Sequence, residues 1–334
     1  MRLRTVLAIA AVATCVPAAT PAAASTDNAC SPAVSIARYT DVLDKTTFDG
    51  TFVGNFSALA VDRDGSLAAL SDRSSLFSLD ARTLAPEGVV ALADENGAAL
   101  DSEGLVIDRD GTRLVSSETE PSIRRYSQDG RVLDRLPVPS ALQVAPAGRA
   151  ASNQTFEGLT RYRGGLLASM EYAISGDSAG LVRFQTWRHA GTGFRLAAQY
   201  GYRTDTGLGV PEVQSLPDGR LLVLERGFTS GVGNTVRLYL ADPRHATDTS
   251  GTDRLTGQDG VRLIGKTLLA DLVDCPSLGA VARQPQPNPL LDNIEGMAVT
   301  GRGKGGWKVL LVSDDNQNAA QTTRFYDLTV RTPR

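Results

Sequence analysis

Glu103-Gly-Leu-Val-Ile-Asp-Arg-Asp-Gly-Thr-Arg-Leu-Val-Ser-Ser-Glu118 decides how the rest of the chain is read. An apolar, β-branched run of about five residues enters an Asp-Gly turn and a second apolar run leaves it, which is the pattern of a β-hairpin. Two short strands joined by a tight turn bring their outer ends back together, so Glu103 and Glu118 are predicted to stand side by side. Four more segments share the layout. They are Ser57-Ala-Leu-Ala-Val-Asp-Arg-Asp-Gly-Ser-Leu-Ala-Ala-Leu-Ser-Asp72, Glu157-Gly-Leu-Thr160 through Ser169-Met-Glu171, Glu212-Val-Gln214 through Pro217-Asp-Gly219 to Leu224-Glu225, and Glu295-Gly-Met-Ala-Val299 through to Ser313-Asp314. If such hairpins are arranged around one axis, their polar ends converge.

The segments begin at 57, 103, 157, 212 and 295, at intervals of 46, 54, 55 and 83 residues. Long amphipathic helical patterns are missing, and turn dipeptides recur between short Val/Leu/Ile-rich runs, so the chain is predicted to be all-β. Periods near 40 to 55 residues with several short strands each are the signature of propeller blades. The last interval is long enough to hold one more blade, with Val261 to Ile264 and Thr267 to Leu272 as its strands. Six blades are therefore expected, with five or seven as alternatives. Residues 139–153, 242–260 and 276–293 are expected to be loops, and the stretch from Ile36 to Phe52 is expected to close the ring against the C-terminal blade.

Arg2 and Arg4, an apolar stretch from Leu7 to Val16 and Ala22-Ala23-Ala24 have the layout of a secretory signal peptide over 1–24, leaving a single domain over 25–334. A lipoprotein site at Cys15 is the alternative, for which Thr14 is a poor fit. The mature product is expected to be extracellular and monomeric, with no membrane span. Removing the leader leaves Cys30 and Cys275, an even pair that an oxidising compartment would join; two buried free thiols are the alternative. Net charge is −3, and about −5 without the two leader arginines, and no basic run is present, which argues against nucleic acid as a partner.

Several separated motifs resemble one family. Asp101-Ser-Glu-Gly104, Asn153-Gln-Thr-Phe-Glu-Gly158, Leu222-Leu-Val-Leu-Glu-Arg-Gly-Phe228, Gly233-Asn-Thr-Val-Arg-Leu-Tyr239, Asn293-Ile-Glu-Gly296, Val312-Ser-Asp-Asp-Asn-Gln-Asn318 and Gln321-Thr-Thr-Arg-Phe325 are similar, in that order, to the phytase-like domain described as having esterase-like activity of phytase. The resemblance runs from about 50 to 330 and implies a secreted or periplasmic propeller. Ser57-Ala58 departs from it where glycine commonly follows, and so does Pro211-Glu212-Val213 where a Ser-Glu-Leu-like run is usual.

The predicted strand ends carry Asp72, Glu103, Glu118, Glu157, Glu171, Glu212, Glu225, Glu295 and Asp314, with Arg73, Arg226, Asn293, Asp315 and Asn316 adjacent. So many carboxylates in one channel raise one another's pKa unless cations compensate them. A hard divalent ion taking six to eight oxygen ligands fits, calcium above all, and two histidines in the chain disfavour zinc or copper. Glu103, Glu118, Glu157, Glu171, Glu212, Glu225, Glu295 and Asp314 are the candidate ligands. Glu157, Glu295 and Arg226 are the candidate catalytic groups for hydrolysis of a small phosphoester or ester, with Arg73 or Arg226 gripping a phosphate. The same acids also have a purely structural reading, in which Glu225 with Arg226 and Asp72 with Arg73 pair to fix blade against blade, and a non-catalytic binding propeller remains the competing function. A serine triad is not expected, since its histidine base would have to be His189 or His245 and both fall in loop-like stretches.

Overall fold

A computed structural model of the chain describes residues 28–333, leaving out positions 192 and 259. The leader expected over 1–24 lies outside the described residues. Strand β1 (Val34–Thr40) comes first, followed by a small hairpin of β2 (Thr46–Phe48) and β3 (Thr51–Val53). Blade 1 is β4 (Phe56–Val61), β5 (Leu67–Ser71), β6 (Ser75–Leu79) and β7 (Pro86–Ala91). Blade 2 is β8 (Ser102–Ile107), β9 (Arg113–Ser117), β10 (Ser122–Tyr126) and β11 (Val132–Arg135). Blade 3 is β12 (Phe156–Tyr162), β13 (Gly165–Met170), β14 (Leu181–Ala190) and β15 (Gly193–Arg203). Blade 4 is β16 (Gly209–Ser215), β17 (Leu221–Thr229), β18 (Gly233–Asp242) and β19 (Gly265–Asp271). Blade 5 is β20 (Ile294–Gly303), β21 (Gly306–Ser313) and β22 (Phe325–Val330), completed on its outer edge by β1.

Each blade is an antiparallel meander. The inner strands β4, β8, β12, β16 and β20 contact one another in turn, and β20 returns to β4, so the sheet ends form a closed ring. Ring closure packs each inner strand against its two neighbours and leaves only short, protected edges at the axis, which is how a propeller manages exposed strand edges. The ring has five blades, the smaller of the two alternatives to the expected six. Only one of the two strands assigned to a sixth blade exists: Gly265–Asp271 is the outer strand of blade 4, paired with β18 from Arg237↔Asp271 to Asp242↔Gly265, and residues 261–264 are not in a strand. Loops take up the remainder of the long interval.

The expected closure by the N-terminal segment is realised by β1, which pairs with β22 from Val34↔Val330 to Thr40↔Phe325. A disulfide between Cys30 and Cys275 reinforces it across 245 positions of sequence. Cys275 lies just beyond β19 and Cys30 just before β1, so the bond ties blade 4 to blade 5. Cross-links of this kind typically contribute about 2–4 kcal/mol.

Inner strands have a blade on either side, and strands β8 and β13 are buried along their whole length. That is why these segments read as continuous apolar runs rather than as alternating ones. Between blades the core is aliphatic with aromatic inserts, such as Phe156 against Trp187 and Phe56 edge-on to Phe77. Among the described residues no helix is long and apolar enough to cross a membrane.

Candidate functional site: an acid-lined axial pocket

One bulge, repeated in all five inner strands, builds the site. In blade 2, Ser102 pairs with Ser117 and Leu105 with Val115, so three steps on the inner strand oppose two on its neighbour. Blade 3 does the same between Phe156↔Met170 and Leu159↔Ala168, and blades 1 and 5 shift between Phe56 and Ala58 and between Ile294 and Gly296. An extra residue re-aims the side chain at that point. The bulged positions hold Ser57, Glu103, Glu157 and Glu295, and all four line a cavity at one end of the ring axis.

Glycine follows the bulged glutamate for a steric reason. A Cβ on Gly104 would stand 2.5 Å from the Glu157 carbonyl oxygen, and one on Gly158 would stand 2.6 Å from the Val213 amide, so neighbouring inner strands meet there with no room for a side chain. The Glu-Gly dipeptide thus encodes both halves of the geometry, an acid towards the axis and a bare backbone against the next blade.

A second repeated contact fixes the other acid of each hairpin. The amides of Asp72, Glu118, Glu171 and Asp314 donate to the carbonyls of Asn55, Asp101, Thr155 and Asn293, each two residues before the bulge, at 2.7–2.9 Å. Each of these four acids is thereby held beside its bulged partner and lines the same cavity of about 250 Å³. The full lining is Ser57, Asp72, Arg73, Asp101, Glu103, Glu118, Asn153, Glu157, Glu171, Arg226, Glu295, Asp314 and Asn316. Eight carboxyl groups therefore face two guanidinium groups.

Electrostatics follow from that imbalance. Burial first, then the charges of Glu295, Asp101 and Glu118, push Glu103 well above the usual carboxylate range, and burial followed by Glu103 and Glu171 does the same to Glu157. Burial and Asp314 raise Asp72 to about 7, and burial and Glu295 raise Asp314 to about 8. Glu171 and Glu295 are also raised by burial, each to about 7, the increase being held back by Arg226. Burial raises Asp101 and Glu118 as well. Asp101 shares a hydrogen bond with Glu103, as Glu118 does with Glu157, so protons or cations must sit between these oxygens.

Arg226 is the counter-charge, its side chain mostly withdrawn from solvent. Its Nη2 lies 2.8 Å from Glu295 Oε1 and 3.5 Å from Glu171 Oε1, spanning from blade 5 to blade 3. Burial opposes its charge, but Glu295 and Glu171 more than offset this and raise its pKa. Arg73 stands at the mouth, 64% exposed, 3.5 Å from Asp72. Asn293 Nδ2 donates to Glu295 Oε1 at 3.0 Å and to Asp314 Oδ2 at 3.3 Å, orienting both acids from behind, while Asn316 donates its amide to Asp314 Oδ1 at 2.8 Å.

Two groups of acids have ligand atoms within 4.8 Å of one another, Asp101 with Glu103 and Glu118, and Glu118 with Glu157 and Glu171. Their oxygens, the lining amides of Asn153 and Asn316 and the absence of histidine or cysteine from the lining fit a hard cation.

Three expected site residues lie elsewhere. Glu212 is not at the bulge of blade 4, because Gly209 pairs with Arg226 and Glu212 with Leu224, which puts Val210 and Pro211 in the bulge. Glu212 sits further along the strand, fully buried, accepting from the Val213 amide at 2.8 Å, and burial raises its pKa well above the ordinary range. Glu225 is turned into blade 4, where Lys266 Nζ (2.5 Å), the Tyr202 hydroxyl (2.6 Å) and the Asp205 amide (2.7 Å) all donate to it. The predicted Glu225–Arg226 pair is therefore replaced by Glu225–Lys266. Asp315 anchors the N-terminal hairpin instead, pairing with Lys45 and accepting from the Asn55 amide. Conversely, Asp101 and Asn153 line the cavity although neither stood out as a site residue. Both precede a Glu-Gly pair, Asp101 by two residues and Asn153 by four. His189 and His245 are exposed on the outside of the ring.

The fold and site define a five-bladed propeller with an acid-lined axial pocket. The family described as "Phytase-like: Esterase-like activity of phytase" matches residues 51–317, most of the chain, and the chain belongs to it. A search of the curated proteins finds no match. Among solved structures, the glutaminyl cyclase of Myxococcus xanthus is similar at 12% identity over 90% of this chain and 97% of that one, with a TM-score of 0.47. A PQQ-bound aldose sugar dehydrogenase from Streptomyces coelicolor is similar at 13% identity over 89% and 98%, with a TM-score of 0.42. A gluconolactonase of Xanthomonas campestris is similar at 14% identity over 84% and 74%, also with a TM-score of 0.42. At these identities and TM-scores the likenesses carry no functional information.

Proposed function

We propose that the axial pocket binds divalent cations, calcium above all, and that the loaded protein is a secreted hydrolase of small phosphoesters or esters. The observation that carries this reading is the surplus of eight carboxyl groups over two guanidinium groups within one cavity. Protons satisfy such a surplus at low pH; near neutrality a doubly charged ion with oxygen ligands does so at less cost. Glu118 belongs to both acid groups, and with Asp101, Glu103, Glu157 and Glu171 it would hold the ion. A bound divalent ion supplies Lewis acidity and lowers the pKa of water.

The chain's own residues would then act on the substrate. Arg73, exposed at the mouth, meets an incoming anionic group, and Arg226 keeps Glu171 and Glu295 apart and in place. Glu157 and Glu295 are raised towards the range where a carboxyl group can move a proton at neutral pH. The cavity is smaller than the roughly 300–1,000 Å³ of drug-sized pockets, which suits one ester group entering while the rest of a larger substrate stays outside. The family description points the same way. The disulfide supports an oxidising, extracellular setting.

The test is turnover of p-nitrophenyl phosphate, phytate and p-nitrophenyl acetate by protein with and without calcium. Calcium-dependent turnover that is lost in Glu157→Gln and Glu295→Gln variants, which still fold, is expected. Folded, calcium-binding protein with no turnover on any of the three would make the pocket a binding site rather than an active site.

A further inference from the structure

Blade 1 breaks the acid pattern in a way that leaves donor oxygens unused. Where blades 2, 3 and 5 bring a glutamate to the bulge, blade 1 brings Ser57. Its residue is 2% exposed, it lines the cavity, and among the described residues its hydroxyl has no hydrogen-bond partner. Leaving a buried hydroxyl unpaired costs about 1–3 kcal/mol, so the site is built around something that meets it. Beside it on the same hairpin, Asp72 Oδ1 also lacks a hydrogen bond, having only the 3.5 Å contact with the exposed Arg73. Asp314 of blade 5 faces Asp72 closely enough to be its principal charged neighbour.

We propose that Ser57 Oγ, Asp72 and Asp314 form a second cation subsite on the blade 1–blade 5 wall, distinct from the acid groups of blades 2 and 3 that share Glu118. The inference rests on the cation reading of the pocket and divides it into two sites. A hydroxyl and a carboxylate oxygen without partners, Ser57 Oγ and Asp72 Oδ1, beside the carboxylate of Asp314, which Asn293 and the Asn316 amide hold in place, make the mixed oxygen set a hard cation takes. Charge supports the division too. One divalent ion on blades 2 and 3 leaves four of the pocket's negative charges unmatched when all eight acids are ionised, eight less two arginines and two ionic charges. A second ion on the opposite wall halves that remainder. A lone ion at the Glu118 groups would also leave the Ser57 hydroxyl unsatisfied.

Calcium titration of metal-depleted mature protein by calorimetry, at neutral pH, reads both subsites. Wild type is expected to bind at least two ions. Asp72→Asn should lose one and keep the other, Ser57→Ala should weaken that same one by about tenfold, the loss of a single oxygen ligand, and Glu118→Gln should spare it. Both variants leave the hairpin bonds of blade 1 intact, and circular dichroism checks that they fold. Unchanged stoichiometry and affinities in Asp72→Asn and Ser57→Ala, with Glu118→Gln alone losing calcium, would overturn the second subsite and leave the first standing. Absence of any calcium binding by wild type would instead overturn the cation reading of the whole pocket.

Discussion

Blade 4 and the other four blades have the same four-stranded meander and the same bulge, yet they furnish the hub with opposite charges. Blades 1, 2, 3 and 5 place Ser57 and Asp72, Glu103 and Glu118, Glu157 and Glu171, and Glu295 and Asp314 around the axis. Blade 4 places Val210 at the bulge, and its register sets Gly227 one step past the Gly209↔Arg226 pair, where its siblings carry an acid. What it sends to the centre is Arg226. The carboxylate of Glu225 is withdrawn into a separate ionic cluster with Lys266. The comparison teaches that a repeat can be conserved in backbone while one copy is given over to neutralising the others.

Removing the cation should break the comparison most severely. Arg226→Ala leaves Glu171 and Glu295 buried without their partner, and loss of one member of a buried pair typically costs about 3–5 kcal/mol. Urea denaturation at neutral pH without calcium is expected to show it, with partial recovery when calcium is added. Next in size, replacing Cys30 and Cys275 by serine unties blade 4 from blade 5 and is expected to lower stability by about 2–4 kcal/mol, read by thermal melts under non-reducing conditions.

The acid blades predict a pH dependence. Asp72, Glu171 and Glu295 sit near 7 and Asp314 near 8 in the folded chain, against roughly 4 when unfolded. Between these limits the native state holds more protons than the unfolded one, so these groups favour folding below about pH 4 and that advantage is lost as pH rises towards 8. Metal-free protein is therefore expected to melt several degrees lower at pH 8 than at pH 5. Calcium should close most of that gap, because it binds the ionised native acids.

Smaller effects sharpen the contrast between blades. Glu225→Gln should cost about 1–2 kcal/mol through its contacts with Lys266 and Tyr202 while leaving calcium affinity unchanged, whereas Glu157→Gln should weaken calcium by tenfold or more. Glu212→Gln should cost less than Glu225→Gln, since burial disfavours the charged form of Glu212 and no ion pair is lost. Paired titrations and melts of the three variants separate the outcomes.

Much of this was legible in the sequence because it is local. A hairpin and its Glu-Gly dipeptide lie within about 16 residues, so the pairings of Glu103 with Glu118 and Glu157 with Glu171 follow from strand length alone. Blade 4 was misread because its register depends on a bulge whose placement the sequence does not mark, and Pro211-Glu212 looks like the dipeptide it only neighbours. Glu225 has its partner 41 positions away in an outer strand, beyond any local pattern. The count of six failed for a similar reason: beyond β18 the 83-residue interval holds loops and a single outer strand, and loop length carries no signature of how many strands it replaces. Asp101 escaped notice because it stands before the strand rather than at its end.

The most direct test of the shared hub is a crystal structure grown in calcium. The account predicts ions within the axial pocket, with Glu118, Glu157 and Glu171 among their oxygen ligands and Arg226 still bridging towards Glu295. A pocket that holds only water at saturating calcium, with its carboxyl groups paired to one another, would contradict it.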